Sequence, residues 1–157
     1  MRSPSPLATQ SHGEAAHWLV FQLQSRCYAL AVHDVVEVLR IAALTPLPEA
    51  PVWLAGLLNL RGQVIPVLDV GRRLGLPPQL VNLSTPIIIA HAAGRQVGLL
   101  ADAVLEVLAL SPEAISSPDA LAGSSHAVSA IARPIGDQRS LVLLLDLHRL
   151  IGGMEAV

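Results

Sequence analysis

Residues Leu30-Ala31-Val32-His33-Asp34-Val35-Val36-Glu37-Val38-Leu39 align without a gap on Leu99-Leu100-Ala101-Asp102-Ala103-Val104-Leu105-Glu106-Val107-Leu108, repeating leucine, valine, glutamate, valine and leucine in register. A second pair of blocks follows in the same order: Val67-Leu68-Asp69-Val70 with Arg72 and Gly75 matches Leu144-Leu145-Asp146-Leu147 with Arg149 and Gly152. The offset grows from 69 to 77 between the blocks, so the second copy carries eight extra residues there. One such match could arise by chance in an apolar chain, but two in the same order indicate an internal duplication. The duplication divides the chain into two similar lobes, about residues 17–84 and about 85–152. Polar residues 1–16, with Pro4 and Pro6, read as a disordered tail, and 153–157 as a short C-terminal one.

Around these blocks the pattern is one of short apolar runs separated by turn residues: Trp18 to Leu23, Tyr28 to Val32, Val64 to Val70, Pro86 to His91, Val97 to Ala101 and Leu141 to Leu147. Runs of this length and spacing predict an all-β barrel or sandwich. Gly94-Arg95 and Gly136-Asp137 have the composition of hairpin turns. Each lobe is expected to be a barrel of about five strands. Helical turns are expected near Asp34 or Ala103 and near Gly71 to Leu74 or His148 to Ile151. Lobes this small are marginal alone, so they should share an interface.

Composition narrows the function. The chain is 52% hydrophobic and 14% charged, yet the run from Val97 to Leu110 is interrupted by Asp102 and Glu106, and no stretch approaches the roughly 20 apolar residues of a membrane span. The N-terminus lacks the apolar core of a signal peptide, so the expectation is a soluble, unexported protein without membrane insertion. A net charge of −2 with scattered basic residues argues against nucleic acid. Cys27 has no partner for an internal disulfide and reads as a small strand residue. The six histidines have neither the i, i+3 nor the i, i+4 spacing of metal ligands on one helical face, and no phosphate-binding glycine loop occurs, so neither a metal nor a cofactor is expected. Ser124-Ser125-His126 has residue types used in acyl transfer but no nucleophile elbow, and reads as a solvated loop. Asp69 and Asp146, at equivalent places in the repeat, read as N-caps of short helices instead of paired catalytic carboxylates.

The segment that remains is Gly56-Leu57-Leu58-Asn59-Leu60-Arg61-Gly62-Gln63-Val64-Ile65-Pro66-Val67-Leu68-Asp69-Val70, which sets polar and charged residues inside an apolar stretch. Arg61, beside a turn glycine, offers a planar fork of donors suited to carbonyls or a carboxylate. With Trp18 to Phe21, Tyr28 to Val32 and Val35-Val36-Glu37-Val38 before it, and Gly98 to Leu110 and Val142 to Ile151 after it, this segment resembles the CheW family of chemosensory coupling proteins over about residues 17–152.

The resemblance implies two SH3-like five-stranded β-barrels around a common core, no catalysis, and two protein partners. These are the regulatory domain of a CheA-type histidine kinase and the cytoplasmic hairpin tip of chemoreceptors. It implies a cytoplasmic protein recruited to membrane receptor arrays. By position, the kinase-facing residues of the family fall on Val35, Glu37 and Gly56, and the receptor-linked ones on Asn59, Arg61 and Val104. Some members carry lysine before the glycine, where Ala55 stands here. The same architecture also serves pilus-based or surface-sensing pathways, which is the alternative reading.

Overall fold

A computed structural model describes residues 15–40, 43–78, 82, 84–117, 127–134 and 141–152. Eleven strands occur among them: β1 (Ala16–Leu23), β2 (Arg26–Ala31), β3 (Val35–Leu39), β4 (Leu54–Leu60), β5 (Gln63–Asp69), β6 (Ile87–Ala92), β7 (Arg95–Leu100), β8 (Ala103–Leu110), β9 (Ile115–Ser116), β10 (Val128–Ala132) and β11 (Val142–Leu145). Two one-turn helices, α1 (Val70–Arg73) and α2 (Leu147–Leu150), follow β5 and β11. Both begin at the expected aspartates. Asp69 Oδ1 accepts from the Arg72 amide at 3.1 Å and Asp146 Oδ1 from the Arg149 amide at 3.2 Å, satisfying a donor the helix start leaves orphaned. The turn expected near Asp34 is a 3-10 turn, Val32–Asp34. Ala103 instead opens β8, where it pairs with Gln22 of β1 in an extended ladder. Ala16 belongs to β1; residues 1–14 and 153–157, on which the expected tails fall, and Gly136-Asp137 and Ser124-Ser125-His126 lie outside the described residues.

Two sheets form the mainly β arrangement expected: a five-stranded one ordered β3-β6-β7-β5-β4, and a six-stranded one ordered β8-β1-β2-β11-β10-β9 that includes the two-residue β9. Each sheet draws on both halves of the sequence. The β1–β2 hairpin pairs with β8 and β11, while β6–β7 pairs with β3 and β5. The two exchanges are equivalent under the repeat. Val67 lies opposite Gly98 in the parallel β5–β7 pair, and Leu144 opposite Ala29 in the parallel β11–β2 pair. Small residues stand at both joints for a reason visible at Gly98, where a Cβ would sit 2.9 Å from Val67 Cγ2 and 3.0 Å from Ile87 Cγ2.

The alternation of the strands sorts their apolar residues into three cores. Val20, Ala29, Leu110, Ala132 and Leu144 belong to the cluster of the six-stranded sheet, and Leu58, Ile65, Val67, Ile87 and Ile89 to that of the five-stranded one. Between them lies a shared cluster containing Phe21, Leu30, Leu68, Val70, Leu99 and Leu150. Phe21 and Tyr28 stack there with ring centroids 6.1 Å apart. Arg73 of α1 spans the junction, donating Nε to the Leu150 carbonyl at 2.8 Å and Nη2 to the Gly152 carbonyl, while its guanidinium lies 4.8 Å from the Trp53 ring centroid.

Candidate functional site

The β4–β5 ladder closes on the pair Leu60 and Gln63, leaving Arg61-Gly62 as a two-residue turn. Their φ values, +52° and +83°, are both left-handed, the type I′ combination that matches strand twist. Glycine enters that region freely whereas arginine is strained there. Asn59, one residue before the closing pair, turns its carboxamide back so that Oδ1 accepts from the Gly62 amide at 3.1 Å.

From this turn Arg61 reaches β3, the edge strand of the same sheet. Nη1 donates to Glu37 Oε2 at 2.9 Å and Nη2 to Glu37 Oε1 at 3.1 Å, a two-point fork that fixes orientation as well as distance. The hydrogen bonds from Arg61 hold the Glu37 carboxyl below the usual glutamate range, and the carboxylate in turn raises the guanidinium. The guanidinium side chain remains 70% exposed and the carboxylate 28%. The pair therefore caps a surface, with the acid recessed and the arginine outermost.

Glu37 lies in a strand that alternates, with Val35, Glu37 and Leu39 half-buried and Val36 and Val38 exposed. Val35 and Glu37 thus share a face, as their spacing predicts, although a bulge interrupts the pairing with β6 between them. Val35 packs on the shared core. Val104, its repeat counterpart, packs on the same core from β8, opposite Phe21. Asn59 and Arg61 accordingly share one hairpin, while Val104 belongs to the other sheet. Gly56 is buried, not surface-exposed: a Cβ there would lie 2.8 Å from the Thr45 carbonyl oxygen. Thr45 bonds β4 on that side, its amide and carbonyl exchanging 2.8 Å hydrogen bonds with Leu57. Ala55 packs on the core of the five-stranded sheet.

Several surface residues lay beyond the sequence reading. Val36 and Val38 are exposed on β3, Leu105 and Val107 on β8, and Val64 opposite Asn59. The duplication pairs Val36 with Leu105 and Val38 with Val107, and both strands are sheet edges. An acid thus stands between two exposed apolar residues on each edge: Glu37 on β3 and Glu106 on β8. The repeat itself was the signal, since residues at matched positions of two edge strands are exposed together. No polar or charged residue is buried among the described residues. Such a surface offers strand edges, apolar side chains and a fixed charge pair, which suits protein contacts of modest size.

The CheW-like domain family model matches residues 17–155. A probable chemotaxis protein CheW of Rhizobium etli is 29% identical over 139 residues, 88% of each chain. Protein FrzA of Myxococcus xanthus is 30% identical over 140 residues, 88% of this chain and 86% of that protein. The crystal structure of the scaffolding protein TtCheW from Thermoanaerobacter tengcongensis superposes with a TM-score of 0.79 at 32% identity, covering 88% of this chain and 93% of that one.

Proposed function

The chain belongs to the CheW-like family, and on that premise we propose that it is a non-catalytic adaptor coupling chemoreceptors to a CheA-type histidine kinase. Its partners are the kinase regulatory domain and the receptors' cytoplasmic hairpin tip. It works in the cytoplasm, gathered to receptor arrays; no helix among the described residues is long and apolar enough to cross a membrane. Val35 and Glu37 form the kinase-facing part, and Gly56 serves it from within by letting the segment at Thr45 lie against β4. Asn59 and Arg61 form the receptor-linked part, with Val104 contributing from the second sheet.

The observation that carries this reading is the fork between Glu37 and Arg61. One side chain comes from each expected contact set, from positions 24 residues apart, and they meet in a geometry that lysine cannot reproduce. An adaptor that relays a state from receptor to kinase needs its two contact surfaces mechanically joined, and this pair joins them on the outside of the fold.

The test is a pull-down from native lysate to identify the kinase and receptors, followed by receptor-controlled kinase assays with two variants. Arg61→Lys should keep the fold and kinase binding yet lose much of the receptor-dependent control. Glu37→Lys should weaken the regulatory-domain contact, since it sets two cations together where a fork stood. Arg61→Lys that loses control only in proportion to a lowered melting temperature would reduce the arginine to a structural role.

A further inference from the structure

We propose that Asn59 is a positioning residue and not a receptor contact: its carboxamide holds the Arg61-Gly62 turn in the conformation from which Arg61 grips Glu37, and it influences receptor-dependent control only through that pair. The inference rests on the receptor role of Arg61 proposed above.

The chain of constraint starts with the turn. In a two-residue hairpin the last ladder pair is Leu60 and Gln63, so the Gly62 amide has no strand partner. Asn59 Oδ1 takes that amide. A short amide side chain near a turn is chemically suited to replace a backbone acceptor. Arg61 does not favour its φ of +52° by itself, so something local must hold it there. Without the Asn59 acceptor, the amide turns to water and the turn relaxes toward types with Arg61 at negative φ, whose twist splays the strands.

The fork is sensitive to that change because it is bidentate. Two parallel N–H···O bonds demand that guanidinium and carboxylate be coplanar and in register, and the carboxylate is fixed separately by β3. Rotating the Arg61 backbone out of the left-handed region carries the guanidinium off the Glu37 plane. Asn59 makes no contact with Glu37 among the hydrogen bonds of the site, and needs none: it acts one step upstream.

Exposure alone makes a direct contact at Asn59 equally simple, and both readings expect Asn59→Ala to impair control. They differ in coupling. The full-length chain is assayed with native membranes carrying its receptors and its co-purifying kinase, as Asn59→Ala, Asn59→Asp, Arg61→Ala and Asn59→Ala/Arg61→Ala. Separately, the Glu37 carboxyl is titrated by NMR in the free protein. A positioning role gives a several-fold loss for Asn59→Ala, recovery with Asn59→Asp, which keeps the acceptor, and a double variant no worse than Arg61→Ala alone. It also gives a Glu37 midpoint that rises toward the ordinary glutamate value in Asn59→Ala. A double variant clearly worse than Arg61→Ala, or an unchanged Glu37 titration alongside lost control, would overturn it. If Arg61→Ala leaves control intact, the receptor role of the turn fails, while the Glu37 titration still decides whether Asn59 holds the fork.

Discussion

Two kinds of carboxylate in this chain have unlike fates although both accept hydrogen bonds. Asp69 and Asp146 cap helices, so Asp69→Ala and Asp146→Ala should each cost about 0.5–2 kcal/mol in chemical denaturation and leave the outer surface unchanged. Partner binding lost at an unchanged melting temperature would contradict the capping role. Glu37 instead accepts from a side chain at the surface, and its carboxyl is held low first of all by the Arg61 hydrogen bonds. A lowered folded-state value means that the pair stabilises the protein above the ordinary glutamate range, near about 4.3. That contribution is lost as pH falls through the lower folded value. Arg61→Ala should therefore raise the Glu37 midpoint seen by NMR, and the stability difference between variant and wild type should vanish in strong acid. Equal midpoints would mean that the fork does not persist in solution. The caps were legible in the sequence because a cap is local, three residues from aspartate to amide. The fork was not: Arg61 could be singled out for its donors, but its acceptor depends on how β3 and the β4–β5 turn are brought together.

Hairpins and joints are the elements that carry the fold. The β6–β7 turn expected at Gly94-Arg95 falls one residue earlier, on Ala93-Gly94, with φ of +53° and +77°; the glycine was a reliable marker of the turn but not of its register, which the pairing of Ala92 with Arg95 sets. At the parallel joints the repeat makes a sharper statement. Gly98 faces Val67 where Ala29 faces Leu144, so one joint already accommodates a methyl and the other does not. Gly98→Ala should destabilise by about 1–3 kcal/mol through overpacking, read as a lower denaturation midpoint at unchanged slope. A neutral result would show that the Val67 and Ile87 side chains yield cheaply. The periodicity of single strands was enough to place β1, β2, β5, β6, β7 and β11. It missed the pairings, because alternation records which face is buried and not which strand lies alongside.

For the molecule as a whole, two lobes with a shared interface were legible from the duplication and the common core from the family resemblance, and the exchange of hairpins was not. Sequence similarity between halves is the same whether each half folds on itself or lends a hairpin to the other. The exchange predicts a single cooperative transition, with calorimetric and van't Hoff enthalpies equal; two resolved transitions would show that the sheets are independent. Arg73 adds a polar tie across the same junction. Arg73→Ala, which removes its bonds to the Leu150 and Gly152 carbonyls and its stacking on Trp53, should cost about 1.5–3 kcal/mol and alter tryptophan fluorescence. A change in fluorescence without loss of stability would mean that the tie forms beside Trp53 but carries no weight.

The exchanged hairpin also has a consequence for the order in which the chain is made. The β1–β2 hairpin leaves the ribosome before the other described strands, yet one of its neighbours, β8, begins at Ala103 and the other, β11, ends at Leu145. Through most of synthesis, then, the Val20 and Ala29 side chains wait without Leu110 and Leu144, which share their cluster, while the five-stranded sheet can already close on β7. Pairing of the β1–β2 hairpin is completed by β11, the last of the eleven described strands, a sequence of events that favours slow, long-range pairing and a long interval of exposed apolar surface. Translation stalled between β7 and β8 would leave the nascent protein with one finished sheet and an orphan hairpin, the state in which a chaperone has most to hold.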